Sequence, residues 1–211
     1  MSIQADLSMC QNGALLPLVE DFYTIQGEGF HAGKAAYFIR IGGCDAGCSW
    51  CDAKETWNPT LYPPVFVTEI VARATRYPAN AIVITGGEPL LYPLDPLCHL
   101  LHQKGLHIFL ETSGSHPCSG NFDWICLSPK KQQPPVGVIH SKANELKVII
   151  SDDSDFAWAE ENRLKVLPSC LLYLQPEWSR SAHILPRMVA YVKEHPQWNI
   201  SLQIHKYMNI P

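Results

Sequence analysis

The densest concentration of reactive side chains in this 211-residue chain is Cys44-Asp45-Ala46-Gly47-Cys48-Ser49-Trp50-Cys51. Its Cys-x3-Cys-x2-Cys spacing is short enough for the thiolates of Cys44, Cys48 and Cys51 to converge on one face of a metal cluster. Three is the informative count. A structural zinc site takes four closed protein ligands and an electron-transfer [4Fe–4S] cluster usually takes four cysteines, yet no fourth cysteine lies nearby. One iron of a cubane held here stays open to the amino and carboxylate groups of S-adenosylmethionine. One-electron reduction of the sulfonium then breaks a C–S bond and yields a 5′-deoxyadenosyl radical. Two plainer readings compete: a zinc knot completed by His31 or a distant cysteine, and three incidental buried thiols.

Gly86-Gly87-Glu88-Pro89 weighs against both, because it adds a second element the same chemistry requires. Its glycines let backbone groups approach a ligand, and Glu88 offers a carboxylate to the cofactor's ammonium. Alone, the tetrapeptide would be a plain turn. These motifs share a position: each follows a predicted strand. Gly42-Gly43-Cys44 follows Ala36–Ile41, Gly86 to Pro89 follows Ala81–Thr85, and Thr112-Ser113-Gly114 follows His107–Glu111. Ser128-Pro129-Lys130 follows Trp124–Leu127, Gln175-Pro176 ends Leu171–Gln175, and His205-Lys206 ends Ile200–Ile204. In parallel βα architectures the carboxyl ends of the strands gather on one face, where ligands bind. One composite site is expected.

The elements that must build this rim alternate apolar β-branched runs with amphipathic stretches, the pattern of βα units around a parallel sheet. Glu145–Ile150 is a further strand. Thr68 is read as the cap of a helix with Ile70, Val71 and Ala74 on one face. Asp95-Pro96 starts another helix, with Leu97, Leu100 and Leu101 inward and Gly105 at its end. Helices are also expected near Ser154–Asn162 and over Ile184–His195, where Leu185, Met188, Val189 and Val192 fall at helical spacing. Asn58–Pro64 and Lys130–Gly137 read as loops. A complete eight-stranded barrel takes about 250 residues, so the expected fold is α/β, an incomplete βα barrel. Residues 1–211 form one domain, with 1–18 as a loosely ordered N-terminal extension.

Composition narrows the function. Apolar residues are 46% and charged residues 17%, which is globular. A net charge of -4 gives no field for gripping a phosphate backbone, so nucleic acid is not an expected partner. Met1 to Leu18 shows no basic leader before an apolar stretch, and no run approaches the roughly 18 apolar residues of a membrane span. A cytoplasmic protein is expected, whose reducing surroundings keep thiols free for metals. Cys10, Cys98, Cys118, Cys126 and Cys170 carry no pattern beyond packing. His31, His99, His102 and His183 read as structural or solvated.

The thiol triplet with Gly-Gly-Glu-Pro resembles the radical S-adenosylmethionine superfamily. Phe22-Tyr23-Thr24-Ile25-Gln26-Gly27-Glu28-Gly29, Phe38-Ile39-Arg40-Ile41-Gly42-Gly43-Cys44 and Trp50-Cys51-Asp52 narrow the resemblance to the 7-carboxy-7-deazaguanine synthases. Glu111-Thr112-Ser113-Gly114, Leu127-Ser128-Pro129-Lys130, Leu174-Gln175-Pro176 and Gln203-Ile204-His205-Lys206 extend it from about Phe22 to Pro211. The narrower resemblance rests chiefly on Gln-Gly-Glu-Gly and the ending. A glycyl-radical activating enzyme shares the cluster and cofactor motifs but should lack the pterin-like Gln-Gly-Glu-Gly. A non-catalytic zinc-stabilised binding module is the reading from another class.

The resemblance implies a lyase of queuosine and deazapurine biosynthesis. It would convert 6-carboxy-5,6,7,8-tetrahydropterin to 7-carboxy-7-deazaguanine with loss of ammonia, using a [4Fe–4S] cluster on Cys44, Cys48 and Cys51. Gly86, Gly87, Glu88, Thr112, Ser113, Ser128, Pro129, Lys130, Gln175, Pro176, Glu177 and Trp178 correspond to S-adenosylmethionine contacts. Ile25, Gln26, Gly27, Glu28, Arg40, Thr85, His205 and Pro211 correspond to substrate contacts, with Arg40 suited to a bidentate grip on the carboxylate. A homodimer and an electron donor such as a flavodoxin are also implied. One departure stands out. The family commonly carries Thr or Ser after Cys-Asp, where its hydroxyl helps bind Mg²⁺, and here Asp52 is followed by Ala53. A methyl does not coordinate metal, so Asp52 remains as the candidate ligand and magnesium dependence is expected to be weak or absent.

Overall fold

The computed structural model describes residues 9–211. The strands are β1 (Leu15–Ile25), β2 (Ala35–Ile41), β3 (Pro64–Phe66), β4 (Ala81–Gly86), β5 (His107–Thr112), β6 (Trp124–Leu127), β7 (Glu145–Ile150), β8 (Leu171–Pro176) and β9 (Trp198–Ile200). Between and after them lie the helices α1 (Val67–Ala74), α2 (Asp95–Gln103), α3 (Ile139–Lys142), α4 (Ser154–Arg163), α5 (Ser181–Glu194) and α6 (Ile204–Met208). The described strands form a single sheet in the order β3-β1-β2-β4-β5-β6-β7-β8-β9. Pairing is parallel from β2 onward and antiparallel where β1 meets β2 and β3. The sheet stays open, an incomplete βα barrel.

Side chains alternate across each strand. Tyr37, Ile39, Ile41, Ile82, Ile84, Ile108, Leu110, Leu146, Val148 and Ile150 join one buried core with Ile70, Val71 and Ala74 of α1, Leu97, Cys98 and Leu101 of α2, Ala159 of α4, and Ile184 and Met188 of α5. Each such aliphatic group contributes roughly 1.5–3 kcal/mol by leaving water. The opposite face lines the concave side. There the register aligns Phe22, Phe38, Val83, Phe109 and Trp124 in one row, an apolar floor. Phe22 stacks on Phe38, His31 on Phe109 and Phe30 on Trp124. Just above, Arg40 aligns with Thr85, and Glu111 with Cys126 and Glu145.

Four expectations need correction. Residues 1–8 of the supposed loose extension lie outside the described residues, but Leu15, Leu16 and Leu18 are buried in β1. The expected strand Ile200–Ile204 breaks at Ser201, whose amide bonds the Leu174 carbonyl at 2.8 Å; Ile204 instead opens α6 and bonds the Gly27 carbonyl at 2.9 Å. Phe66, not Thr68, occupies the N-cap position of α1, with no side-chain cap. In α5, Ile184 and Met188 are the buried pair while Val189 is exposed, because the helix sits on the sheet through a narrower stripe than its apolar spacing suggested.

Candidate active site

The rim loops are laced to one another before any ligand is considered. The amide of Gly87 bonds the Ile41 carbonyl at 2.9 Å and that of Glu88 bonds the Gly43 carbonyl at 2.8 Å. The amides of Gly43 and Cys44 bond the carbonyls of Thr56 and Trp57 at 2.6 and 3.3 Å. A Cβ on Gly87 would lie 2.1 Å from the Gly43 oxygen and 2.8 Å from the Cys44 Cβ. Gly87 therefore makes room for the thiol-bearing loop, and it also lines the cavity a ligand would enter.

Glu88 is corrected similarly. It is 1% exposed and absent from the cavity wall. One carboxylate oxygen accepts from the Leu90 amide and the Thr112 hydroxyl, the other from the Ser113 amide and hydroxyl. A carboxylate offers about four acceptor sites, and all are taken within the protein. Glu88 latches the β4 and β5 rims together and has nothing left for a cofactor's ammonium.

The rim opens into a cavity of about 550 Å³, within the roughly 300–1,000 Å³ of small-molecule sites. Cys44, Cys48 and Cys51 line it, together with Gly86, Gly87, Thr112, Ser113, Ser128, Lys130, Gln175, Pro176, Glu177 and Trp178. Ile25, Gln26, Gly27, Glu28, Arg40, Thr85, His205 and Pro211 share the same wall, as does Asp52. Pro129 does not reach it; it is buried beneath the rim.

The thiol loop fits a cluster. Burial pushes the thiols of Cys44 and Cys48 up, and each also senses Cys51 close by; iron would exchange their protons for metal. Among the described residues no three Cys, His, Asp or Glu side chains gather as a single ion requires. Three thiols on one loop suit a cubane, which gives each its own iron, better than a zinc knot, which takes four closed ligands. Lys130, held by the Ser128 carbonyl and hydroxyl at 2.7 and 2.6 Å, extends over the Trp50 ring beside them. Its burial pulls the ammonium pKa down.

Asp52 is the candidate magnesium ligand. The Asp52 carboxylate already accepts from the Lys206 ammonium at 2.8 Å and the Gln203 amide at 3.1 Å. Burial alone would raise its pKa, and those two partners reverse the shift. A divalent cation at Asp52 would meet the charge of Lys206 and the methyl of Ala53.

Opposite the thiols lies a polar network. The Gln26 amide donates to Glu111 at 2.9 Å, and the Thr85 hydroxyl donates to the other Glu111 oxygen at 3.0 Å. Arg40 spends its Nε on Glu20 at 2.7 Å, leaving the terminal guanidinium nitrogens for the cavity. Glu28 pairs with Lys147 and accepts from Gln203 at 2.8 Å. The ring of His205 packs so closely on Gly27 that a Cβ there would lie 2.1 Å from Nδ1, and burial lowers the imidazole pKa. Asn209 takes a left-handed turn (φ 55°), and Ile210 and Pro211 reach the cavity wall.

Sequence reasoning did not single out Glu111, Lys147 and Gln203 as site residues, although each lines the cavity. The available signal was a charged or amide side chain at an inward position of an apolar strand, as with Lys147 in Glu145–Ile150.

The comparisons agree with this geometry. Residues 38–119 match the Radical SAM superfamily, the class that an open βα sheet with a thiol-bearing rim loop defines. The 7-carboxy-7-deazaguanine synthase of Flavobacterium psychrophilum is 53% identical over 201 residues, 95% of each chain. That of Synechocystis sp. is 50% identical, over 92% of this chain and 93% of its own. The crystal structure of QueE from Escherichia coli superposes with a TM-score of 0.78 at 28% identity, covering 93% of this chain and 97% of that one. The chain belongs to the 7-carboxy-7-deazaguanine synthase family.

Proposed function

We propose that this chain converts 6-carboxy-5,6,7,8-tetrahydropterin to 7-carboxy-7-deazaguanine with release of ammonia, a step of queuosine and deazapurine biosynthesis. The observation that carries the reading is the cavity joining the three thiols of one rim loop to a carboxylate, guanidinium and imidazole set above an aromatic floor. Cys44, Cys48 and Cys51 would hold a [4Fe–4S] cluster, with S-adenosylmethionine against Gly86, Gly87, Thr112, Ser113, Ser128, Lys130 and Gln175 to Trp178. When bound, this pair supplies a hydrogen-abstracting radical.

The residues do the rest. Glu28 presents its ionised carboxylate to the donor–donor edge of a 2-amino-4-oxopyrimidine ring. Arg40 turns its free guanidinium nitrogens to the substrate carboxylate. Gln26 is held by Glu111 and keeps one amide hydrogen for the ring, while His205 and the Ile210-Pro211 end close the wall above it. The apolar floor and the closing end exclude water from a reactive intermediate. Glu88 and Pro129 support the rim and take no direct part.

Magnesium dependence should be weak or absent, given Lys206 at Asp52. An external one-electron donor such as a flavodoxin, a homodimeric state and a cytoplasmic setting complete the proposal on family resemblance; in the described residues no helix is long and apolar enough to cross a membrane. The test is anaerobic incubation of reconstituted protein with dithionite, S-adenosylmethionine and the carboxytetrahydropterin. Catalytic formation of 7-carboxy-7-deazaguanine, abolished by Cys48→Ala, supports the reading; turnover of S-adenosylmethionine with no deazaguanine product refutes it.

A further inference from the structure

The inward face of β7 carries two ionisable side chains amid apolar neighbours, and both reach the loop after β1. Glu145 accepts from the Phe30 amide at 3.2 Å and the Trp124 indole at 3.2 Å. Gly29, at φ 65°, lies so near that a Cβ would sit 2.0 Å from a Glu145 oxygen. Two residues along, Lys147 pairs with Glu28, the two side chains being 6% and 16% exposed. The second oxygen of Glu28 accepts from Gln203 at 2.8 Å. Glu28 is thereby fixed at both oxygens and lines the cavity.

We infer that Lys147 is a positioning residue for substrate: by its ion pair it holds Glu28 ionised and aimed, so that the pocket reads the donor–donor edge of a 2-amino-4-oxopyrimidine ring. The inference rests on the function proposed above and adds to it the residue that sets its specificity.

A carboxylate is complementary to two parallel N–H donors only when it carries no proton. A carboxylic acid would turn an O–H toward one of them and lose that bond. Burial works against the ionised form of Glu28, and Lys147 is the charge that reverses this, with bonds from Lys147, Gln203 and Gln175 in support. The Glu28 carboxyl consequently lies below its usual value and the Lys147 ammonium well above its own. The other groups facing the pair are mainly acidic or neutral: Glu111 from β5, Cys126 from β6 and Glu145 from β7 act on Lys147, and the His205 ring senses Glu28 from α6. Lys130, from the rim after β6, is held down by burial first and then by Lys147's charge, and its ammonium bonds the Ser128 carbonyl and hydroxyl. Removing Lys147 therefore leaves Glu28 desolvated among carboxylates, and its pKa must rise.

The test uses anaerobically reconstituted holoprotein and calorimetric binding of 7-carboxy-7-deazaguanine between pH 6 and pH 8.5, with iron, sulfide and thermal unfolding as fold controls. Lys147→Met should weaken binding at least tenfold at pH 7 and recover toward wild type as pH rises, roughly tenfold per unit below the raised pKa. KM for the carboxytetrahydropterin should rise more than kcat falls. Lys147→Arg should restore the wild-type pH profile, and Glu28→Gln should bind weakly and without pH dependence. Should Lys147→Met lose its cluster, Lys147→Gln carries the same comparison. Wild-type affinity in the folded variant, or a loss equal at every pH, overturns the inference. Failure of the wild-type protein to bind the deazaguanine at all would instead refute the function it rests on.

Discussion

Replacing Glu88 with Gln separates the latch seen here from the cofactor contact its motif suggests. In the wild-type chain four donors converge on the carboxylate: the Leu90 and Ser113 amides at 3.0 and 2.8 Å, and the hydroxyls of Thr112 and Ser113. A glutamine keeps one acceptor oxygen and puts an NH₂ in place of the other. The hydroxyl facing that NH₂ can rotate and accept, but the backbone amide beside it cannot. Either side-chain orientation thus leaves one buried N–H facing a donor, which costs about 1–3 kcal/mol. The remaining bonds change from charge-assisted to neutral and lose about half their strength. The expected total is about 2–4 kcal/mol, a large part of the roughly 5–15 kcal/mol that stabilises a domain. Anaerobic urea denaturation followed by circular dichroism should show the lower midpoint, while affinity for S-adenosylmethionine in the folded variant changes little. Unchanged stability with lost cofactor affinity would refute the latch.

Gly29→Ala should destabilise by about 1–3 kcal/mol, combining a positive φ with overlap on Glu145, and should raise KM by disturbing Glu28; a fully stable variant would contradict the packing argument. Turnover should be unchanged by EDTA and by Mg²⁺ added afterwards, whereas a large restoration by Mg²⁺ would show that Asp52 can release Lys206 for a metal. The pKa of His31 lies below the usual 6.5, first because of burial and then because of Lys34. A histidine held neutral in the fold binds more protons when unfolded, so stability should fall as pH drops below about 6.5. Thermal unfolding between pH 5.5 and pH 7.5 checks this, with His31→Gln expected to flatten the dependence and an identical slope contradicting it.

Much of the fold was legible because apolar β-branched runs mark strands buried on both faces, and β4 to β8 fell close to their expected bounds. β1 escaped: Pro17, Glu20 and Asp21 interrupt its apolar pattern, since an antiparallel strand next to the sheet's edge need not be buried along both faces. The alternation Ile200, Leu202, Ile204 suggested a strand where tertiary bonds to Leu174 and Gly27 turn the chain into α6. The rim motifs were legible as chemistry, and nearly all of them line one cavity. What the spacing could not reveal is who satisfies whom. Glu88 reads as a ligand until the donors of Leu90, Thr112 and Ser113 are found around it. Lys147 reads as an oddity in an apolar strand until Glu28 arrives from a loop 119 residues away.

On the proposed function, Cys44, Cys48 and Cys51 leave one iron of their cluster to S-adenosylmethionine. Mössbauer spectroscopy of anaerobically reconstituted, ⁵⁷Fe-labelled protein, recorded before and after adding S-adenosylmethionine, tests it most directly. A single iron of a [4Fe–4S] cluster should change its isomer shift while the others keep theirs. A spectrum indifferent to S-adenosylmethionine, or protein that takes up zinc and no iron–sulfur cluster, would contradict it.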